Sequence, residues 1–507
     1  MASEDGHGRR RLAVAAAWVV SRYTTTLISG IADELRPRGC STVCFSLGHR
    51  TRRTDQVAGL HPLWDLIGPE NVAGLIVLAP AAFGDAAQGF PARRAPLPTV
   101  CVGQRIEGVP SVWIHNAGGV RAMMEHLVER CGRRRVAFIR GPAHNPEAEA
   151  RWRAYEDMCV ELSLGLSDTL VEQGDFTEAS GRAATERLLA RYDPRRFDAV
   201  FAANDLMGLG AEQALAARGL DVPRDVAVVG FDDLEAIFGS PPLTTVRQPT
   251  YALGRHAADL AERLIAGTSV PQQVPFPPEL VVRESCGAPS SVPRHSGPEA
   301  DPGCSLFFSA WELGVRQRFA ELPVHLRQLQ DRTIQSLGGR RGLRERLAHG
   351  FDAFGAKLEA ATHQSRASDL ALHTARSQAM LRLRRSLVFA SDLEDVRRAV
   401  EGALPTLSLE SFSLSVYEGT RRDLARVVLQ VDDGARLPLV DAPAAVRYAL
   451  GVVTLERDEQ ATWLVLPVED EVGTLGFLTA RGQTYDMPAL AELGALVAPA
   501  LRRVGGG

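Results

Sequence analysis

Six positions in the first half of the chain hold side chains suited to gripping a small polar molecule, and each lies just beyond a short apolar run. Tyr23 follows the first run, and Asn116 follows "VWI" (112–114). Arg151 comes soon after "FIRGP" (138–142), and Phe176 directly after "VEQGD" (171–175). Asn204-Asp205 and Asp232-Asp233 close "VFAA" (200–203) and "VVGF" (228–231). Arginine, aspartate and asparagine supply directional hydrogen bonds, and an aromatic ring covers the apolar face of a cyclic ligand. The set suits a sugar or a nucleoside. Each residue also has a structural use: Asn204-Asp205 can cap a helix starting at Leu206, Asp232-Asp233 can shape a turn, and Arg151 can be a solvated charge.

Catalytic chemistry has no comparable set. The sequence contains no GxSxG, HExxH or phosphate-cradling glycine motif. His349, His363 and His373 fall on helical patterns and read as surface residues, and the acidic run 469–471 reads as a solvated turn. The seven cysteines are scattered, and Cys40 and Cys44 do not form a CxxC pair. They read as reduced, mostly buried thiols of a cytoplasmic protein, with no metal and no cofactor expected.

The elements that must position the six residues are legible as alternation. Apolar runs at 12–19, 41–46, 72–80, 98–103, 135–141, 198–204 and 226–233 are separated by helical patterns at 24–36, 116–131, 147–162 and 178–191. Runs buried on both faces and separated by helices predict parallel βαβ units, and open sheets of this kind bind ligands at the carboxyl ends of their strands. The basic residues Arg9, Arg10 and Arg11 before the first run resemble a signal peptide only superficially, and no run is long enough to span a membrane.

The second half differs. Residues 288–303 are rich in Pro, Gly and Ser and read as a linker. Residues 304–390 carry an apolar stripe through Leu343, Leu347, Phe351, Phe354, Leu358 and Ala361, and read as a helical, coiled-coil-like connector that pairs with its copy in a dimer. Residues 391–507 predict a helix near 392–404, strands at 411–419 and 424–431, a hairpin over 461–482 and a closing helix at 487–504, an α+β domain with an antiparallel sheet. A chain of 507 residues with net charge −4 is not a general polyanion binder. The arginine clusters 340–346 and 382–385 leave DNA contact through the connector open as an alternative.

The segments "FAANDLMGLGAEQALAARGLDVPRDVAVVGFDD" (201–233), "SPPLTTVRQPTYALGRHAADLAERLIAG" (240–267) and "EHLVERCGRRRVAFIRGP" (125–142) resemble the sensor core of the LacI/GalR family. "ARWRAY" (150–155) stands where that family has Arg-x-x-Gly-aromatic, with Ala154 replacing the glycine. The resemblance covers residues 11–287, after a tail of residues 1–10. It implies a two-lobed periplasmic-binding-protein-like α/β fold with two parallel sheets flanked by helices. It implies that Arg151, Asn204 and Asp232 contact ligand hydroxyls, that Phe176 stacks, and that Tyr23, Asn116 and Gln248 line the cleft. The chain reads His115-Asn116 where the family often has Asp-Asn.

In such folds the chain crosses between lobes three times, expected here near 133–135, 247–249 and 270–273. A ligand touching both lobes favours the closed form. The implied protein is a cytoplasmic, dimeric, ligand-responsive transcriptional regulator, not an enzyme, that passes closure to its C-terminal half and onward to a partner protein. About eleven residues precede the first strand, too few for the helix-turn-helix headpiece that family repressors carry. Residues 391–507 more weakly resemble a GAF-like sensory domain. An interaction scaffold without a ligand is the other alternative.

Overall fold

The computed structural model describes residues 10–16, 21–47, 62–78, 97–288 and 375–505, with short breaks inside the longer stretches. The stripe 343–361, the arginine cluster 340–346, the three connector histidines and most of the linker 288–303 lie outside the described residues. The described part of 304–390 is helical over 375–388.

In chain order the elements run β1 (Arg10–Ala16), α1 (Arg22–Leu35), β2 (Cys40–Ser46), β3 (Gly74–Leu78), β4 (Thr99–Val102) and β5 (Ser111–Ile114). Next come α2 (Asn116–Glu125), β6 (Val136–Arg140), α3 (Pro146–Glu161), β7 (Val171–Gln173), α4 (Glu178–Arg191), β8 (Ala199–Ala202), α5 (Asp205–Ala217) and β9 (Ala227–Val229). Then follow β10 (Thr245–Arg247), α6 (Thr250–Ile265), β11 (Gln273–Phe276) and β12 (Glu279–Val281). The C-terminal part adds α7 (Leu393–Ala403), β13 (Ser411–Glu418), β14 (Arg421–Asp432), the short β15 (Ala435–Arg436) and β16 (Ala444–Ala445), β17 (Thr462–Glu469), β18 (Thr474–Arg481) and α8 (Met487–Gly505).

The first lobe is a parallel sheet of order β11-β5-β4-β3-β1-β2, and the second a parallel sheet of order β7-β6-β8-β9. Every residue of β2, β3 and β8 is buried. Strands covered on both faces need continuous apolar runs, which is the pattern the sequence shows. In the first lobe α1 lies on α6 at close range. A Cβ on Gly30 would stand 2.2 Å from the Tyr251 carbonyl oxygen, and one on Gly254 would stand 2.2 Å from that of Leu27. Two glycines therefore set that helix spacing. The second lobe packs around Phe138, Phe201, Trp152 and Tyr155, and the Tyr155 hydroxyl donates to the Val136 carbonyl at 2.7 Å.

The first and third crossings differ from expectation. α2 packs on α3 and into the second-lobe core, so the chain first crosses at His115-Asn116 rather than near 133–135. β11 pairs with β5 in the first lobe while β12 pairs with β10, which places the third crossing at 277–278 rather than 270–273. The second crossing falls at 248–249, within the expected range. Apolar periodicity announces a helix; it does not say which lobe the helix packs on.

The first-lobe sheet does not end at β2. β17 pairs with it in parallel, Thr462 to Val465 against Thr42 to Phe45, and the sheet runs on antiparallel through β18, β13 and β14. α8 packs on β17 and β18, and α7 on α8. Trp463, Tyr417 and Phe477 share one apolar cluster with Val43, Phe45 and Trp64 of the first lobe. No helix among the described residues is long and apolar enough to cross a membrane.

Candidate functional site

The cleft is organised from the start of α3. Asn145 caps that helix, its side-chain oxygen accepting from the N–H groups of Glu147 and Ala148 at 3.0 Å, and Pro146 fits the first helical position. Glu147 and Arg151 are one turn apart and share a face. The Arg151 guanidinium is buried and occupied on three sides. Nε donates to Asn116 Oδ1 at 2.9 Å; Nη1 donates to the Ala203 carbonyl at 2.6 Å and to Asp232 Oδ1 at 3.2 Å. It also lies 3.9 Å from the centre of the Phe231 ring and 5.9 Å from that of Phe176. One side chain thus ties the first crossing to the ends of β8 and β9.

Asp232 receives a second donor from the second crossing, Gln248 Nε2 at 2.5 Å. Its backbone is left-handed, φ 114°, held by hydrogen bonds to Val246 and Gln248. Phe176 (φ 69°) and Asp233 (φ 58°) are similarly placed, so three of the four described non-glycine residues with positive φ are at this cleft. Such conformations cost on the order of 1–3 kcal/mol each and persist only where surroundings impose them. The brace here is Asp233, whose carboxylate meets Arg247 at 2.7 Å and Arg283 at 2.6 Å. Asp205 adds to it, accepting from Thr245 Oγ1 at 2.5 Å and the Leu234 N–H at 2.9 Å.

Asn204 has the capping use that the sequence allowed and a second bond beside it. Its side-chain oxygen caps α5 through Met207 N–H at 3.0 Å, and its amide donates to the Phe176 carbonyl at 3.1 Å. It positions Phe176 and keeps one amide hydrogen in reserve. His115 explains the departure from Asp-Asn: its Nδ1 accepts from Gly118 N–H at 3.1 Å and caps α2.

Tyr23 belongs to the other lobe, in the first turn of α1. Burial raises its hydroxyl pKa, as do the facing carboxylates of Glu147 and Asp232, while Arg151 opposes them. Next to it, the Arg22 side chain spans the lobes, 4.0 Å from the Glu235 carboxylate and 4.9 Å from the centre of the Phe238 ring. All seven expected residues, Tyr23, Asn116, Arg151, Phe176, Asn204, Asp232 and Gln248, therefore meet at this cleft or in its immediate support.

Glu147 was missed by sequence reading. Burial pushes its carboxyl up to about 7; Arg151 pulls it down and Asp232 raises it again. Its Oε1 and the Oε1 of Gln248 are shielded from solvent and have no hydrogen-bond partner among the described residues. Two orphaned acceptors beside an arginine are what ligand hydroxyls would satisfy. The i, i+4 spacing of Glu147 and Arg151 at a capped helix start was the available signal.

A raised carboxyl pKa has a definite sign. Between about 4.5 and about 7 the folded state holds a proton that the unfolded state has lost, so stability falls as pH rises through that window. Glu147→Gln is expected to remove its share of that slope, on the order of 2–3 kcal/mol. Glu212, buried under the 239–241 loop and also pushed up to about 7, keeps its own share. Urea unfolding of parent and variant at pH 4.5 and pH 7.5 checks this, and parallel pH dependences would refute it.

With this geometry in hand, comparison with known proteins finds that residues 124–286 match the family described as periplasmic binding protein-like domain. The match takes in the second lobe and the returning α6 and β11, and the parallel sheet of β1 to β5 completes a two-lobed fold. The chain is 43% identical over 181 residues to the HTH-type transcriptional regulator CelR of Thermobifida fusca, covering 35% of this chain and 52% of that protein. It is 38% identical over 163 residues to the ribose operon repressor of Escherichia coli (strain K12), covering 32% of this chain and 48% of that protein. The chain thus spans about half the length of these curated relatives. A solved transcriptional regulator CelR–cellobiose complex is 34% identical, with 55% of this chain and 85% of that chain covered and a TM-score of 0.48. These relatives are named as a transcriptional regulator and an operon repressor.

Proposed function

We propose that the chain is a ligand-responsive regulator whose two lobes close on a small polyhydroxylated molecule, a sugar or a nucleoside. The observation that carries this reading is the cross-lobe constellation. Arg151, Asp232 and Gln248 lock one another, the Glu147 and Gln248 oxygens are orphaned, and Tyr23 faces them from the first lobe. Asn116 and Gln248 stand on two of the three crossings, so a ligand held there touches the segments that bend on closure.

The output runs through residues 391–507, a GAF-like domain in this reading. Because β17 continues the first-lobe sheet, movement of that lobe reaches this domain directly, in addition to any helical connector. The protein works as a homodimer, and catalysis, cofactor and membrane have no part in it.

Thermal melting against a panel of monosaccharides, disaccharides and nucleosides tests the proposal. At 100 times its Kd a ligand adds about 2.7 kcal/mol, which raises the melting temperature by roughly 5–10 °C in a domain of this size. The rise should disappear in Gln248→Ala and Asp232→Asn. A panel without a stabilising member, or a rise that persists in both variants, would sink it.

A further inference from the structure

Away from the cleft, three soft donor atoms converge where α2 ends. Beyond Glu125 the helix widens into a π-turn over His126–Arg130, closed by a bond from Cys131 N–H to the His126 carbonyl at 3.2 Å. One extra residue in that turn puts side chains 126 and 131 over the same spot, and such bulges concentrate at functional sites. Cys286 arrives from the opposite end of the sensor. It ends a 3-10 turn, Glu284–Cys286, that stops at Gly287 with φ 81°. Ser285 anchors the turn, donating to the Val228 carbonyl at 2.5 Å and accepting from Thr244 N–H at 2.8 Å.

His126 Nε2 is 3.3 Å from Cys286 Sγ and 3.4 Å from Cys131 Sγ, and all three atoms lie within 4.8 Å of one another. The Cys286 thiol also has the Arg283 carbonyl at 3.4 Å to donate to and accepts from the Ala288 N–H at 3.5 Å, which leaves His126 Nε2 to accept from Cys131. The spacing of the three donor atoms also matches a shared cation. Zinc sits about 2.3 Å from sulfur and 2.0–2.1 Å from nitrogen, and at tetrahedral angles those bonds separate nitrogen and sulfur by about 3.5 Å. The adjacent Arg133 guanidinium is turned to the Pro223 carbonyl, at 2.5 Å.

We propose that His126, Cys131 and Cys286 bind a thiophilic d10 cation of the zinc class, with three protein ligands and a fourth position for solvent or an exogenous ligand. Two thiolates and an imidazole select such an ion over magnesium or calcium. Binding M²⁺ forms two sulfur–metal bonds and one nitrogen–metal bond and releases two thiol protons to solvent. The cation pins Cys286, two residues before the end of the described sensor stretch at 288, to the end of α2. Metal occupancy is then an input separate from the cleft, acting where the chain leaves the sensor.

The test uses the full chain, stripped with chelator and kept reduced, titrated with Co²⁺. About one equivalent per chain should bind with thiolate-to-cobalt charge-transfer absorption, and Zn²⁺ should displace it. Cys131→Ser and Cys286→Ser should each weaken binding by more than about tenfold, while Cys159→Ser leaves the spectrum unchanged. Should either serine variant fail to fold, the parent decides the matter through a rise in melting temperature that saturates at one equivalent of Zn²⁺ and reverses with chelator. Absence of a charge-transfer band in the parent, or a band that survives both serine variants, overturns the site. So does oxidation to a Cys131–Cys286 disulfide without any metal uptake by the reduced protein. None of these results depends on finding the cleft ligand.

Discussion

Arg151→Ala is expected to destabilise the protein by about 3–5 kcal/mol near neutral pH and to abolish any response of the cleft to its ligand. The loss is not that of one ion pair. Asn116 Oδ1 and the Ala203 carbonyl lose their donors, the Phe231 ring loses its cation, and the half-buried Asp232 is left with Gln248. Burial already raises the Asp232 pKa, and Arg151 is the first force holding it down. Without Arg151 the carboxyl rises further, so the penalty of the variant should shrink as pH falls and Asp232 takes up a proton. Arg151→Met combined with Asp232→Asn should be less destabilised than Arg151→Ala alone, because no charge is left unpaired. Urea unfolding of the three proteins at two pH values reads all of this. An Arg151→Ala variant within about 1 kcal/mol of the parent would refute the view that these buried contacts of the arginine stabilise the fold.

Much of the sensor was legible in the sequence because its physics is local. Strands buried on both faces announce themselves as unbroken apolar runs, as "STVCFS" does for β2 and "VFAA" for β8. Arg151 and Asp232 were singled out because residues just beyond such runs stand at the edge of a parallel sheet where ligands bind, and the structure brings the two together. What escaped depends on tertiary packing. Glu147 matters because of what buries it, and a glutamate in a first helical turn usually caps and solvates. His126 and Cys286 are 160 positions apart, and only the π-turn and the tight stop at Gly287 bring them together. Asn204 shows a third case. Its cap role and its site role looked like rivals, yet one amide performs the cap with its oxygen and holds Phe176 with its nitrogen.

The pairing of β17 with β2 belongs to the same class of hidden features and joins the two halves of the chain. Nothing in a strand's sequence names the neighbour that will cover its edge, although an exposed edge needs some protection. Here the cover is the C-terminal sheet, so the first lobe and residues 411–481 share backbone hydrogen bonds as well as apolar contacts. In the proposed reading this shared sheet adds a direct route beside the helical connector expected over 304–390, because β17 is paired with β2.

Trp463→Ala should expose that coupling. Trp463 is 5% exposed, lies opposite Val43 in the register, and packs in the cluster that holds Phe45, Tyr417 and Phe477. Truncating a buried tryptophan costs about 3–5 kcal/mol. Where that cost falls is the informative part. If β17 docks on β2 through this side chain, the outer edge of β2 opens before the rest of the lobe does, and amide exchange over residues 42–45 should accelerate by roughly two to three powers of ten. Phe138→Ala in the second-lobe core is the matched control, a loss of similar size that leaves those amides protected. Ligand-induced change in exchange across β13 and β18 should also vanish in Trp463→Ala, while the cleft, none of whose named residues belongs to the Trp463 cluster, still binds. Unchanged exchange at 42–45 would mean that the two sheets are neighbours without being coupled, and the relay would have to be sought elsewhere in the chain.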